Sequence, residues 1–401
     1  MNLELLLKEY TQDPRCFRIV DRITLSQPQR MHLSGLSGSA APFILAAVFS
    51  HPATVQQNHL VVLRDAEEAA YFHNTLENLT NALDLFYFPS SFKNKKNYSL
   101  LNSSHVMLRT EALMKIATGG NKKILVTHAE ALFEKVLLSK TLSANIISIK
   151  QAETLDVNLI LSKLVDYGFE RTDFVYQPGQ FAIRGGILDI YSYGNEKPYR
   201  LELFGNEVDS IRIFDPETQL SERKLLQVNI IPNLAYRQAD GATQFDSGDK
   251  VSLLEFMPEN TVVWTEDWPF IKEIIAQQEE DLEIAMGSGQ WSMVNGQLDE
   301  DVLDEKKEVN ENVFVKATMI EEQMLLLHII ELGGKAYFAN EQQTTNNYQR
   351  IDFKTKEQPS FNRQFDLLIK NLKEYEAKNY QVYLFAENPK QLERLHVIFT
   401  P

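Results

Sequence analysis

The chain has 401 residues, of which 44% are hydrophobic and 24% are charged, a composition typical of soluble globular proteins. This length is enough for about two to four domains, each with a sizeable core. A single cysteine, Cys16, excludes an internal disulfide framework, and the sequence has neither a secretory signal nor an apolar run that could span a membrane, so we expect a cytoplasmic protein.

The formal net charge of −15 is concentrated in one stretch of the chain. Residues 266–312 contain 14 acidic side chains against 3 basic ones, together with glycines and other polar residues. We interpret this stretch as a solvated acidic loop, because it is polar and carries charge of one sign. An acidic mimic of nucleic acid is the alternative, and either form would repel DNA.

The first 138 residues alternate strand and helix patterns, which predicts an α/β domain with a parallel sheet. An amphipathic helix opens the chain. Strands are then expected at 31–34, 59–64, 83–88 and 123–127, and helices at 40–48, 66–79 and 110–117.

The turn between the first of these strands and the following helix reads GLSGSAAP, where a phosphate-binding loop G-x-x-x-x-G-K-[ST] would stand. Gly35 fits the first position and Gly38 adds a second glycine, but Ala40, Ala41 and Pro42 replace the glycine, the lysine and the hydroxyl residue. Without the lysine nothing neutralises the β- and γ-phosphates, and without the hydroxyl nothing holds magnesium. The loop therefore predicts an inactive, degenerate nucleotide site.

Residues 139–228 predict an α+β domain with a strand near 145–150, a helix at 155–167 and a small antiparallel sheet after residue 174. Successive side chains of a strand point to opposite faces. If the Ile and Leu face is the core, the other face carries Arg184, Arg200, Phe204, Arg212 and Phe214. A bulge at Gly185-Gly186 is expected to re-aim the first arginine.

A phenylalanine among exposed arginines has three interpretations. It is a half-buried ring under a solvated charged rim, or a protein-binding patch, since arginine and aromatic side chains are enriched at interface hot spots, or a nucleic-acid site. The local charge argues against nucleic acid, because residues 139–228 hold 10 basic and 13 acidic side chains.

Residues 229–345 predict a second segment of the first domain, with strands at 261–265 and 335–339, a helix at 319–331 and the acidic loop. A further small α/β domain is expected to start at residue 346, with a helix at 361–378, a strand at 381–385 and another helix from 388. Because the sequence stops just after an apolar run, we expect a longer polypeptide. The sequence has no H-E-x-x-H, C-x-x-C or G-x-S-x-G motif, so no catalytic or metal site is expected.

The runs QPGQFAIRGGILDIY and PYRLELFGNEVDSIRIFDPETQ closely resemble the module shared by the bacterial transcription-repair coupling factors (Mfd) and the excision-repair protein UvrB. Two departures favour the coupling factors. UvrB keeps a working phosphate loop, and it inserts a tyrosine-rich hairpin that clamps damaged DNA where this chain has the short, polar FPSSFKNKKNYSLLNSS. The resemblance implies a degenerate P-loop NTPase-like, helicase-like domain with an inserted α+β UvrB-like interaction domain.

The same resemblance implies a non-catalytic module that recruits UvrA to lesions where RNA polymerase has stalled. The family's UvrA-contacting residues carry over to Arg184, Arg200 and Phe204, and Arg212 lies beside them on the same face. Whole members of the family are ATP-dependent DNA translocases that also bind RNA polymerase and duplex DNA, use ATP and magnesium at a separate motor, and mask this face with a C-terminal domain. The alternative is a UvrB-like ATPase that verifies damage and binds DNA directly.

Overall fold

The structure, a computed structural model, describes residues 3–80, 84–94, 97–193, 195, 197–231, 249–288, 314–339, 347–362, 364–383 and 389–399. In these residues no helix combines the length and apolar character needed to cross a bilayer.

The helices of the described ranges follow in chain order. They are α1 (Leu3–Thr11), α2 (Pro14–Ile23), α3 (Ala40–Ser50), α4 (Ala66–Glu77), α5 (Ser103–Ala117), α6 (Ala129–Leu132), α7 (Ser139–Ala144), α8 (Val157–Asp166), α9 (Leu253–Phe256), α10 (Trp268–Ser288), α11 (Ala317–Met324), α12 (Phe365–Glu376) and α13 (Pro389–Phe399).

In the described ranges the strands form two larger sheets and three two-stranded ones. They are β1 (Arg30–Ser34), β2 (Asn58–Leu63), β3 (Leu85–Phe88), β4 (Phe92–Asn94), β5 (Asn97–Leu101), β6 (Ile124–His128), β7 (Val136–Leu137), β8 (Ile147–Lys150), β9 (Glu170–Arg171), β10 (Gln180–Arg184), β11 (Ile187–Ile190), β12 (Tyr199–Phe204), β13 (Glu207–Phe214), β14 (Ser221–Leu225), β15 (Gln227–Ile230), β16 (Lys250–Val251), β17 (Thr261–Glu266), β18 (His328–Leu332) and β19 (Tyr348–Asp352).

The larger sheet has seven parallel strands in the order β19-β1-β18-β17-β2-β6-β3. Both of its faces are buried, as β2 illustrates: Leu60 and Val62 belong to one apolar cluster, and Val61 and Leu63 to the other. Parallel sheets are covered by helices on both faces, so their strands are almost continuously apolar. The predicted parallel α/β arrangement is confirmed.

The second sheet has six strands in the order β14-β13-β12-β11-β10-β9. One face packs against α8 and the β8-β15 pair around a cluster that includes Ile160, Leu188 and Leu201. The predicted bulge at Gly185-Gly186 is wrong, because Arg184 pairs with Ile187 and the two glycines form the turn of a tight hairpin. Its first glycine has φ +58°, a conformation that glycine adopts without strain.

The ladder is irregular at two other places. The register shifts between Glu202 and Leu203, and again between Ile213 and Phe214. Both shifts lie near strand ends, beside residues of the face that was predicted to carry the arginines. The sheet thus keeps regular pairing in its centre and bends near its margins.

The predicted helix at 319–331 is too long. The helix α11 ends at Met324, and the apolar run HIIEL that follows forms β18, paired on both sides with parallel strands from distant parts of the chain. The predicted strand at 335–339 is absent. Instead, the buried Glu331 accepts hydrogen bonds from the amides of Tyr337 and Ala339, both at 2.6 Å, so these residues form a loop over the end of β18.

The predicted acidic loop at 266–312 is wrong in its first half. Residues 268–288 form α10, which buries Trp268, Ile271, Ile275 and Leu282 against the core. These residues recur at helical spacing, and the high acidic content concealed that pattern. The remainder of the stretch, 289–312, lies outside the described residues.

The strand β19 extends the seven-stranded sheet past the boundary predicted at residue 346, since it pairs in parallel with β1. Further along, α12 confirms the core of the helix predicted at 361–378, and α13 confirms the helix after 388. Residues 381–383 of the predicted strand at 381–385 are not in a strand, and 384–385 fall outside the described ranges.

Candidate functional site

One face of the six-stranded sheet carries the predicted site residues. Across the central strands, Asp189 stands opposite Arg200, Arg200 opposite Arg212, and Arg212 opposite Lys224. Residues directly opposed in a ladder share a face. The structure therefore brings the predicted arginines together. We call the group the arginine face, and its members are Arg184, Asp189, Arg200, Glu202, Phe204 and Arg212.

Asp189 lies at the centre of the arginine face and has no solvent exposure. One carboxylate oxygen accepts a hydrogen bond from Arg200 Nε at 2.8 Å. The other accepts from Arg200 Nη2 at 2.9 Å and from Arg184 Nη2 at 2.6 Å. Sequence reasoning missed this residue, because it lies within the apolar run GGILDIY. The signal that could have found it is its position in the strand alternation, which places it opposite Arg200.

Arg184 occupies one edge of the face and keeps about a third of its side chain exposed (34%). Besides Asp189, its guanidinium donates to the backbone carbonyl of Asp173 and lies over the ring of Phe174, 4.6 Å from the centroid. This arginine is held on one side and open to solvent on the other.

Arg200 is much less exposed, at 14% of its side chain. Its Nη1 donates to the carbonyl of Gln219 at 3.0 Å, and its guanidinium carbon lies 4.3 Å from the ring centroid of Phe214. Hydrogen bonding to Asp189 raises the pKa of Arg200 above its ordinary value. The guanidinium of Arg200 is therefore held mainly by contacts within the fold.

Phe214 was expected on the exposed side of the sheet, and that expectation is wrong. The ring is fully buried beneath Arg200, although it lies on the same side of the sheet. A small apolar cluster surrounds it, made of Val175, Ala182 and Tyr191. Val175 belongs to a loop, and strand alternation does not predict how a loop packs.

Phe204 is the most exposed large apolar side chain in the described residues, at 83%. It is the last residue of β12, where it pairs with Glu207 across a two-residue turn. The first turn residue, Gly205, has φ +63°. The tight turn places the ring at the tip of a hairpin, where the fold does not bury it.

Arg212 is tied to Glu202, with 3.3 Å between Nη2 and Oε2. The same carboxylate oxygen accepts from the hydroxyl of Ser210 at 2.6 Å. The Nε of Arg212 is buried and has no hydrogen-bond partner in the part of the chain that the structure describes. Arg212 therefore lies on the arginine face, but the face satisfies only part of its hydrogen-bonding capacity.

The arginine face carries three arginines against two carboxylates, with the exposed Lys224 alongside. A small positive excess in a chain of net charge −15 suits an acidic patch of another protein. It falls short of the clustered positive charge by which proteins hold a nucleic-acid backbone.

The loop at residues 35–42 is the second predicted site, and the end of β19 and the residues that follow it pack on this loop. A Cβ atom at Gly35, which has φ +67°, would stand 2.4 Å from Asp352 Oδ1 and 2.8 Å from the amide nitrogen of Lys354. Both the amide and the hydroxyl of Thr355 donate to the Gly35 carbonyl, each at 2.8 Å. The first residue of the loop is therefore committed to contacts within the fold.

The remaining loop positions lead into α3. Gly38 has φ +57° and open space around its Cα, while Ala40 and Pro42 are buried and Ala41 packs on the core cluster. The positions that a lysine and a hydroxyl residue would occupy thus carry apolar side chains turned toward the core. Within the described ranges, no group of three or more His, Cys, Asp and Glu side chains is placed to hold a metal ion.

Comparison with known families supports the resemblance for the part of the chain that contains the six-stranded sheet. Residues 147–236 match the model of the UvrB interaction domain. This segment contains the whole six-stranded sheet and all of the arginine face. The chain thus has a mixed α/β fold with a parallel sheet and a segment that matches the UvrB interaction domain.

The chain is also similar to curated transcription-repair-coupling factors. The protein of Bacillus subtilis (strain 168) is 29% identical over 226 residues, which is 55% of this chain and 19% of that protein. The protein of Staphylococcus haemolyticus (strain JCSC1435) is 28% identical over 240 residues, covering 60% of this chain and 20% of that protein. The matched part spans about a fifth of the length of these relatives. The resemblance seen in the sequence is confirmed.

Proposed function

We propose that this chain is part of a transcription-repair coupling factor and that its arginine face binds UvrA. The observation that carries the proposal is the ring of Phe204, 83% exposed at a hairpin tip of a domain that matches the UvrB interaction domain. Isolated exposed apolar residues are common. A ring held by a tight turn beside fixed arginines has instead the composition of an interface hot spot.

The proposed contact has an apolar and a charged component. Phe204 enters an apolar pocket of the partner, where burying its ring supplies most of the affinity. Arg184, still one-third exposed, donates charge-assisted hydrogen bonds to an acidic group beside that pocket. Arg200 is largely held within the face, and Arg212, whose side chain is 32% exposed, extends the positive potential.

The proposed role is recruitment. Docking of UvrA on this face would bring the excision-repair machinery to lesions where RNA polymerase has stalled. In the longer protein we propose that a separate motor uses ATP and magnesium to translocate on duplex DNA, that another domain binds RNA polymerase, and that a C-terminal domain masks the arginine face until it is needed.

We further propose that the parallel-sheet domain is a degenerate helicase-like domain and that this segment is not catalytic. Support comes from the loop itself. The positions of the lysine and of the hydroxyl residue are apolar, and the Gly35 carbonyl is bonded to Thr355. A UvrB-like ATPase that verifies damage is the competing proposal, and it would need a loop that can hold phosphate and magnesium.

Capture of the 401-residue chain by immobilised UvrA tests the docking proposal. Replacing Phe204 with Ala should weaken binding about 30-fold, the effect of losing a contact of about 2 kcal/mol. Leu159→Ala is a matched control, because Leu159 is also exposed (52%) but lies on α8, on the opposite side of the same sheet. Equal binding by the folded Phe204→Ala variant and the wild-type chain would overturn the proposal.

A further inference from the structure

Asp189 is an unusual residue for its location. Its carboxylate is fully buried on a side of the sheet where its neighbours Ala182 and Phe214 form an apolar cluster. Burying a charge is costly unless the group is paired and hydrogen-bonded. Apolar residues of similar volume can often replace a buried ion pair without loss of stability. The fold alone therefore does not require an acid at this position.

The hydrogen bonds of Asp189 all fix arginines. They link three strands, since Asp189 is on β11, Arg200 lies directly opposite on β12, and Arg184 is at the end of β10. The Arg200 contact uses both carboxylate oxygens, with Nε and Nη2 at 2.8 and 2.9 Å, which defines the plane of the guanidinium. The Arg184 contact at 2.6 Å adds a charged hydrogen bond to a side chain that the Asp173 carbonyl and the Phe174 ring also hold.

Asp189 also sets the local charge. Arg184 and Arg200 both lie within hydrogen-bonding distance of one carboxylate, so their mutual repulsion is offset and one positive charge remains. A partner then needs to supply a single acidic group at this position rather than two. The geometry thus matches one carboxylate of the partner next to the pocket that receives Phe204.

We propose that Asp189 is a positioning residue of the arginine face. It fixes the guanidinium groups of Arg184 and Arg200 in the orientation that the partner binds. The inference rests on the proposed docking function and adds a residue to it. Long side chains lose rotamer freedom when they are ordered at an interface, and ordering them beforehand removes that cost from binding. Loss of Asp189 should weaken binding about tenfold.

The test is the kinetics of binding to immobilised UvrA for the Asp189→Asn chain. The variant keeps the shape of the side chain but removes its charge, so the face becomes more positive. We expect the dissociation rate to rise about tenfold, with the association rate unchanged or higher at low salt. A purely structural role would lower the fraction of active protein and leave the dissociation rate of the bound fraction unchanged.

The controls separate this inference from the docking proposal. Asp166→Asn makes the same chemical change at an exposed position on α8, and it should bind like the wild-type chain. If Asp189→Asn does not fold, Asp189→Leu fills the buried position without a carboxylate and should show the same faster dissociation. In a chain with both Arg184→Ala and Arg200→Ala, adding Asp189→Asn should change binding no further.

Two results would count against different claims. A wild-type dissociation rate in folded Asp189→Asn or Asp189→Leu, while Phe204→Ala still binds weakly, overturns the positioning role and leaves the docking proposal standing. Undiminished binding of Phe204→Ala overturns the docking proposal itself.

Discussion

Gly186 lies directly against the backbone of Leu203. A Cβ atom at Gly186 would stand 2.7 Å from the Leu203 carbonyl oxygen, and the Leu203 amide donates to the Gly186 carbonyl at 2.7 Å. The turn after Arg184 is thereby joined to the strand end that carries Phe204. Backbone contact, rather than side-chain packing, fixes the spacing between the hairpin turn next to Arg184 and the strand end that carries Phe204.

Replacing Gly186 with Ala should therefore lower the free energy of unfolding by about 1–3 kcal/mol, the usual cost of overpacking, because the Leu203 backbone must move. Urea unfolding measures the effect. Gly185→Asn is the control, since a Cβ atom at Gly185 would meet open space and its φ of +58° is one that asparagine tolerates. Equal midpoints for Gly186→Ala and the wild-type chain would show that this contact is not restrictive.

The two phenylalanines of β12 and β13 should respond oppositely to truncation. Phe204→Ala should change the free energy of unfolding by no more than about 0.5 kcal/mol, because its ring is exposed. Phe214→Ala should cost about 3–5 kcal/mol, because its ring is fully buried. Chemical denaturation of both variants checks the pair. Similar losses of stability in the two would contradict the assigned burial.

Arg200 and Arg184 should also differ, although both bind Asp189. Arg200→Ala removes the bidentate partner of a buried carboxylate and should destabilise the chain by about 2 kcal/mol or more. Arg184→Ala leaves that partner in place and should cost about 1 kcal/mol or less, while still weakening capture by UvrA. Unfolding and capture measured on the same preparations separate the two effects. An equal loss of stability in both variants would contradict this assignment.

Restoring the phosphate-loop residues should not restore nucleotide binding. A chain with Ala40→Gly, Ala41→Lys and Pro42→Ser regains the side chains of the motif, but the Gly35 carbonyl stays bonded to Thr355. Calorimetric titration with magnesium and ATP should show no saturable binding in either the wild-type chain or this variant. Binding by the wild-type chain in the micromolar range would favour the UvrB-like alternative.

His59 should make the chain less stable in mild acid. Its Nδ1 accepts a hydrogen bond from Trp264 Nε1 at 2.9 Å in the core of the parallel sheet, and burial lowers the pKa of His59 to about 3. The unfolded chain therefore binds a proton below about pH 6.5 that the folded chain does not bind. Stability falls as pH decreases, by about 1.4 kcal/mol per pH unit between the two values.

The measurement is urea unfolding between about pH 7 and pH 5, where most carboxylates remain ionised. His59→Gln keeps a hydrogen-bond acceptor but cannot take up a proton, so its stability should depend less on pH than that of the wild-type chain. The wild-type chain in the same buffers is the reference. Parallel pH dependences of the two would show that His59 is not the titrating group.

The arginine face was largely predictable from sequence because its strands are short hairpins. Alternation with period two placed Arg184, Arg200 and Arg212 on one side, and pairing across tight turns preserves that order. Besides the bulge that proved to be a hairpin turn, two features of the face were missed for local reasons. Phe214 is buried beneath Arg200 and packs with the loop residue Val175, a contact that strand periodicity does not predict. Asp189 stands within an apolar run, so neither the burial nor the partners of Asp189 follow from periodicity.

The parallel sheet was harder to predict because its pairings are not local. The run that forms β18 has no turn signal before it that separates it from α11, and only its two parallel neighbours make it a strand. The helix α10 was missed for a different reason. Its buried residues recur at helical spacing, but its acidic residues dominate the composition of the stretch.

The strand β1 lies between β18 and β19, so Arg30 pairs with Ile329 on one side and Tyr348 on the other. A ribosome must therefore complete the whole inserted domain before either neighbour of this early strand exists. The hairpins of the inserted domain pair within a short span of chain and can form while synthesis continues. We expect the arginine face to form first and the seven-stranded sheet to close last.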